Sequence, residues 1–312
     1  MTPDQAAREQ SLGGIYVLAA YLLWGFMPIY FVTLAPTSPW EVVAWRILLA
    51  LVFCAVLLAV TRTWGRLFAL LRNRRLVIWT VVAGVLIYVN WQAFLIGTLT
   101  GHVVETSLGY FINPIATVLL GVIVLHERLR IAQWVAIGIA AAAVVVIIVA
   151  VGTVPWIALT LAASFATYGL VKKKIGPAVD ALSGLTLESL WLIPIAIIQL
   201  IVVATTTGLT MGQVSGGHTF LLLLAGVITG VPLLFFAAGA RRTTLTVVGI
   251  LQFIAPIMQF LTGVLILGEP MPAERWAGFA LVWTAIAIFT VDSVVHSRRQ
   301  RSALAAGVSD PV

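Results

Sequence analysis

Two charged residues stand in stretches that offer them no water. Arg46 lies about seven residues into the apolar run 39–60, and Glu188 about eight residues into the run 180–204. At ~1.5 Å of rise per residue, each sits about 10–12 Å deep in a hydrocarbon core about 30 Å thick. A charge at that depth costs at least ~2.5–3.5 kcal/mol on the insertion scale, so each needs a reason to be there. A guanidinium can receive an anionic group of a solute. A carboxyl can take up and release a proton. A shift of 142 residues places Arg46 on Glu188, so opposite charges occupy equivalent depths in two halves of the chain. Three readings follow: a substrate and proton site, a static Arg46–Glu188 tie between two helices, or a gate in which that pair breaks and reforms.

Uncharged polar residues form a second set. Within 105–129, Ser107, Tyr110, Asn113, Pro114 and Thr117 recur at helical spacing and form one stripe. Gln252, Pro256 and Gln259 form the matching stripe in 249–271, where the same shift puts Tyr110 on Gln252 and Thr117 on Gln259. Lipid gives such groups no partner, so the stripes are expected to face a water-filled cavity or to hydrogen-bond another helix. Pro28, Pro114, Pro194, Pro232 and Pro256 also lie inside apolar runs. Each removes an intrahelical hydrogen bond and is expected to kink its helix and free a carbonyl. Tyr88, Asn90, Trp91 and Gln92 add polar and aromatic surface to a third run. Trp24 and Tyr168, related by nearly the same shift, are placed to stack on an aromatic or cationic ligand or simply to pack. Glu41 and Glu105, nearer run ends, are expected to be solvated. Glu127 and Glu269 each precede a helix and are expected to favour its positive end.

The elements that carry these residues follow from composition. The chain is 61% hydrophobic and 9% charged, against about 25% charged in a soluble domain. Most of its surface must therefore face lipid. Ten runs reach the length of about 20 residues that a spanning helix needs: 13–34, 39–60, 76–98, 103–125, 131–151, 154–172, 180–204, 218–240, 244–267 and 273–292. The expected fold class is an all-α integral membrane protein with ten transmembrane helices. The connections 126–130 and 152–153 are short enough to make their flanking helices antiparallel neighbours. The first run is too long, and its leader too acidic at Asp4 and Glu9, for a cleaved signal peptide.

If the N-terminus is cytoplasmic, 16 of the 18 Lys and Arg residues fall in cytoplasmic segments, leaving Arg46 inside a span and Arg275 outside. The positive-inside rule thus puts both termini in the cytoplasm. Lys172, Lys173 and Lys174 read as part of that topogenic signal. The segment 61–75 reads as an amphipathic interfacial connection, and 297–312 as a short disordered tail. The net charge of +7 is scattered between apolar runs, which argues against nucleic acid as a partner. Cys54 is alone and the four histidines lie at or beyond run ends, so no disulfide, metal site or cofactor is expected.

The 142-residue shift also aligns Gly97 with Gly239, Phe111 with Phe253, Pro114 with Pro256, Gly121 with Gly263, Glu127 with Glu269 and Trp134 with Trp276. Each half, 13–151 and 154–292, holds five spans. An odd number inverts the second half in the membrane, an architecture recurrent in secondary transporters. The segments L-A-A-Y-L-L-W-G (18–25), E-T-S-L-G-Y-F-I-N-P (105–114), Y-G-L-V-K-K-K (168–174), E-S-L-W-L-I-P (188–194) and V-P-L-L-F-F-A-A (231–238) resemble the RarD branch of the EamA family, in the drug/metabolite transporter superfamily. The resemblance runs over nearly the whole chain. It implies two inverted five-helix repeats, a central cavity lined by spans 1–4 and 6–9, and spans 5 and 10 at the periphery. Members are bacterial inner-membrane permeases, and the name is associated with chloramphenicol handling. One departure is I-Y-V-N-W-Q (87–92), where the family usually carries glycines before N-W; Tyr88 and Gln92 alter the cavity there.

The expected function is secondary active transport of small organic solutes such as drugs, amino acids or metabolites, by alternating access and with export coupled to protons. Proton-independent exchange or uptake is the alternative, and a passive channel a weaker one. The chain has no nucleotide-binding G-x-x-x-x-G-K-[ST] loop. It also lacks the G-x-S-x-G, mid-span histidine or paired intramembrane aspartates that an intramembrane enzyme would use. Gly138 and Ala142 leave room for close helix packing, within the bundle or between the subunits of a homodimer.

Overall fold

The computed structural model describes residues 3–126, 129–175 and 178–305, and every regular element among them is helical. In order these are α1 (Pro3–Val32), α2 (Pro39–Thr61), α3 (Trp64–Leu71), α4 (Arg74–Leu99), α5 (Val103–Leu125), α6 (Ile131–Val151) and α7 (Trp156–Ile175). There follow α8 (Ala181–Trp191), α9 (Ile193–Thr206), α10 (Gly216–Leu223), α11 (Ala225–Ala240), α12 (Leu245–Leu251), α13 (Ile254–Leu261), a π-helical turn (Thr262–Ile266) and α14 (Ala273–Ala305).

Local chemistry starts the helices. The side chains of Ser38, Asp180 and Ser215 accept the amides of Glu41, Ser183 and His218, capping α2, α8 and α10. Between α2 and α4, the short α3 buries Leu67 and Leu70 and exposes Arg66 and Phe68, as an amphipathic connection should.

Among the described residues, eight helices are long and apolar enough to cross a membrane, or nine if the bent pair α8–α9 is one span. The sixth expected span is helical as α7, but Lys172, Lys173 and Lys174 fill its last turn and it is not among those eight. The seventh bends by 47° between Trp191 and Ile193, next to Pro194. Pro28, Pro114 and Pro232 sit inside helices that continue through them. The ninth span is interrupted at Gln252–Phe253, four residues before Pro256, and ends in the π-helical turn. The tail expected to be disordered instead continues α14 as helix to Ala305. Glu127, expected to favour the start of α6, lies outside the described residues.

Packing exchanges elements between the halves. Helix α1 lies along α11 and α13, whereas α7 lies along α4 and α5. Helix α2 meets α8, α9 and α11, and α6 pairs with α14. At the α2–α11 crossing, a Cβ on Gly226 would lie 2.4 Å from the carbonyl carbon and oxygen of Leu49. Only glycine lets those backbones approach so closely. The largest apolar cluster draws on α1, α2, α4, α7, α8, α9 and α10, with Phe31, Ile47, Trp91, Phe94 and Leu161 at its heart.

Candidate functional site

Arg46 and Glu188 are both buried, at 4% and 1% exposure, and they do not pair. Arg46 donates from Nε to Thr229 Oγ1 on α11 at 2.8 Å. Its guanidinium lies 4.3 Å from the Trp91 ring centroid and 5.4 Å from that of Phe31. Its Nη1 is buried without a hydrogen-bond partner among the described residues. Of the three readings, the static Arg46–Glu188 tie is not what the structure holds: each residue has its own partners. Partner choice depends on which helices flank each residue, and α11 and α4 flank Arg46.

Glu188 takes a different cation. Lys172 Nζ donates to Oε1 at 2.8 Å and the Tyr168 hydroxyl to Oε2 at 3.1 Å. Tyr168 and Lys172 are one turn apart on α7, so they present to α8 together. Lys172 thus does more than set topology: half-buried, it neutralises the deepest carboxylate of the second half. Lys174 instead lies 4.1 Å from the Trp79 ring centroid.

The polar residues of α4 and α5 meet rather than facing lipid. Asn90 Nδ2 donates to Leu161 O at 3.3 Å and Ser164 Oγ at 3.2 Å on α7, while Tyr110 donates to Asn90 Oδ1 at 3.1 Å. Gln199, which the sequence reading passed over, donates from α9 to the Tyr88 hydroxyl at 3.0 Å and to Gln92 Oε1 at 2.8 Å. Its signal was available: a lone glutamine in an apolar run. Ser107 bonds its own helix at Val104 O, and Thr117 bonds Asn113 O. Asn113 Oδ1 is buried and without a partner among the described residues.

In the opposite stripe, Gln259 donates to the Trp24 carbonyl at 3.2 Å, the carbonyl that Pro28 leaves without its intrahelical amide. Among the described residues, Gln252 bonds back to Gly249 O at 2.9 Å. Trp24 packs on Tyr21 and Phe236, with centroids 5.4 and 5.7 Å away.

An aromatic file joins the two charged sites. Phe31 meets Phe94 at 6.1 Å, Phe94 meets Tyr110 at 5.9 Å, and Tyr110 meets Phe165 at 6.0 Å. Phe165 in turn meets Tyr168 at 6.0 Å. Tyr110 and Tyr168 are half-buried, whereas Phe31 and Phe94 are almost fully buried.

Carboxylates also fasten helix starts and a turn. Glu41, expected to be solvated, is fully buried and accepts the amides of Thr210 and Met211 at 2.9 and 3.1 Å and Trp45 Nε1 at 3.3 Å. Glu105, half-buried, accepts the amides of Ile157 and Ala158 at the start of α7. Glu269 precedes α14 but accepts the amides of Val103 and Val104, at the start of α5. Orphan amides of a nearby helix start outcompete water for Glu105 and Glu269, and the amides of the turn before α10 do so for Glu41. Burial pushes the Glu269 carboxyl above its ordinary range, and the two amides partly offset that. A cavity of about 350 Å³ opens beside Glu105, bordered by His102, Trp156, Arg275 and Phe279; neither Arg46 nor Glu188 lines it.

Residues 11–149 match the EamA-like transporter family. A protein RarD of Streptomyces exfoliatus is 42% identical over 97% of this chain and 95% of its own length. A protein RarD of Escherichia coli K12 is 40% identical over 94% and 98%. The chain belongs to the EamA family, on its RarD branch. Another relative, the uncharacterized transporter YojE of Bacillus subtilis, is 37% identical over 94% of the chain and 98% of its own length. One crystal structure superposes with a TM-score of 0.57 at 17% identity, over 90% of this chain and 98% of that one, which shows a shared fold. With its apolar helices, this family member is a multi-pass membrane protein with the general role of a transporter.

Proposed function

We propose that the protein is a secondary permease of the bacterial inner membrane that exports small organic solutes by alternating access in exchange for protons. The observation that carries this reading is the Glu188–Lys172 contact of 2.8 Å, placed one turn before the 47° bend between α8 and α9. A proton arriving on Glu188 releases Lys172, and that release is felt at a hinge. A solvated ion pair at a helix end would have no such leverage.

Several features support the architecture this needs. Counting α7 and the α8–α9 pair with the eight apolar helices makes ten spans. The halves 13–151 and 154–292 each then carry five and insert in opposite senses, with both termini cytoplasmic. The family match falls on the first half. The first helix of each half packs into the other half, α1 on α11 and α13, α7 on α4 and α5, as an inverted pair would. Residues 1–12 precede the first repeat, and 293–312 follow the second.

A second reading, proton-independent exchange, is favoured by the same pair: Lys172 already neutralises Glu188, so a permanent tie satisfies both. The experiment is flux into liposomes holding the purified protein, with and without a pH gradient, for wild type and Glu188→Gln. The solute panel includes chloramphenicol, because one Pseudomonas aeruginosa relative, 30% identical, is named a chloramphenicol-sensitive protein. Gradient-driven flux that Glu188→Gln uncouples is the expected result. Flux indifferent to both gradient and mutation overturns proton coupling and leaves exchange.

A further inference from the structure

Among the described residues, the arginines of known pairing have carboxylates: Arg130 meets Asp292 and Arg242 meets Glu9. Both pairs are at least partly solvated. Arg46 is the reverse case, 4% exposed and with no carboxylate in ion-pair reach among the described residues. Its only side-chain hydrogen bond there runs from Nε to the neutral Thr229. Trp91 and Phe31 cover its faces, which tempers the charge but leaves the Nη1 edge unbonded. A guanidinium edge is shaped for the two oxygens of a carboxylate.

We propose that Arg46 binds the carboxylate of a transported organic anion whose planar apolar body lies along the aromatic file Phe31–Phe94–Tyr110. The proposal deepens the transport reading and rests on it only for the route by which solute reaches the site. The rings stand at centroid spacings of 6.1 and 5.9 Å; Phe31 and Phe94 are buried in this conformation and Tyr110 is half-buried, so the solute's body reaches the file from its Tyr110 end as the helices rearrange. One cation edge neutralises one negative charge. A phosphate dianion would leave a second charge against apolar rings, and an organic cation would meet Arg46 itself. Glu188 adds no attraction for cations while Lys172 holds it. Asn113 Oδ1, also buried and unbonded, and the Tyr110 hydroxyl offer polar contacts to the rest of the solute.

The test is binding, measured by equilibrium dialysis on the purified full chain in lipid nanodiscs, with no gradient. The probes are phenylacetate, its neutral isostere phenylacetamide, and phenethylamine. Wild type is expected to bind phenylacetate at least about tenfold tighter than the amide, and the amine not at all. Arg46→Gln is expected to remove that preference, and Lys174→Met, whose contact is the Trp79 ring, to keep it. Equal binding of acid and amide, no saturable binding of phenylacetate, or an undiminished preference in Arg46→Gln overturns the proposal. If Arg46→Gln fails to fold, the acid-to-amide ratio on wild type decides alone. The two readings fail differently: flux without carboxylate preference sinks the anion site, whereas carboxylate binding without flux sinks transport.

Discussion

Arg46 and Glu188 stand 142 positions apart, the shift that also aligns Pro114 with Pro256, yet each turns to its own neighbour: Thr229 at 2.8 Å for Arg46, and Lys172 at 2.8 Å for Glu188. The separation has an energetic signature. Residues that share no partner have additive mutational effects within ~0.3–0.5 kcal/mol. The thermal destabilisations of Arg46→Gln and Glu188→Gln should therefore add in the double variant. Non-additivity above ~1 kcal/mol would restore the direct tie.

Lys172 should behave unlike its neighbour Lys174. Lys172→Met strands a carboxylate that is 1% exposed. Breaking a buried pair costs about 3–5 kcal/mol. The Lys172 side chain is 28% exposed, so solvent screening reduces the expected loss to about 2 kcal/mol. Lys174→Met loses only the contact with Trp79, about 0.5–1 kcal/mol. Thermal unfolding in detergent measures both, and adding Glu188→Gln to Lys172→Met should recover most of the stability. Equal losses for the two lysine variants would return Lys172 to a purely topogenic role.

Those two lysines show what could and could not be seen in the residue order. Apolar runs are a property of composition over 20 residues, so the helices and the polar faces of α4 and α5 were legible. The bend near Pro194 was legible too, because proline acts locally. The role of Lys172 hid inside a run of three lysines, although its one-turn spacing from Tyr168 was a usable signal. The amide partners of Glu41, Glu105 and Glu269 were not legible. Each joins chain segments more than 50 residues apart, and only the packed bundle decides which amide a carboxylate meets. The same holds for Arg46 and Glu188: register set their depth and tertiary packing set their partners.

Glu41 should prove structural. Its carboxylate accepts the amides of Thr210 and Met211, the Thr210 hydroxyl and Trp45 Nε1 while fully buried. Glu41→Ala leaves two backbone donors unmatched in the interior, at about 3 kcal/mol. Glu41→Gln keeps one acceptor oxygen and should cost about half as much. Thermal unfolding of the two variants ranks them. A neutral Glu41→Ala would mean that the 210–211 segment is solvated and the cap dispensable.

Gly226 links packing to the Arg46 site. Its absent Cβ would meet Leu49 backbone at 2.4 Å and the Ala50 nitrogen at 2.9 Å, and backbone cannot step aside as a side chain can. Gly226→Ala must part α2 from α11, at about 1–3 kcal/mol of overpacking. It also draws Thr229, one turn further along α11, away from Arg46 Nε. The matched control is Gly138→Ala on α6, where a Cβ meets nothing within 4 Å. There the gain in helix propensity should leave stability unchanged or raised by up to about 1 kcal/mol. Thermal unfolding and solute flux of the two variants should diverge, Gly226→Ala losing both and Gly138→Ala neither. If Gly226→Ala keeps wild-type stability, the α2–α11 crossing is looser than the Leu49 contact requires, and Thr229 has room to leave Arg46.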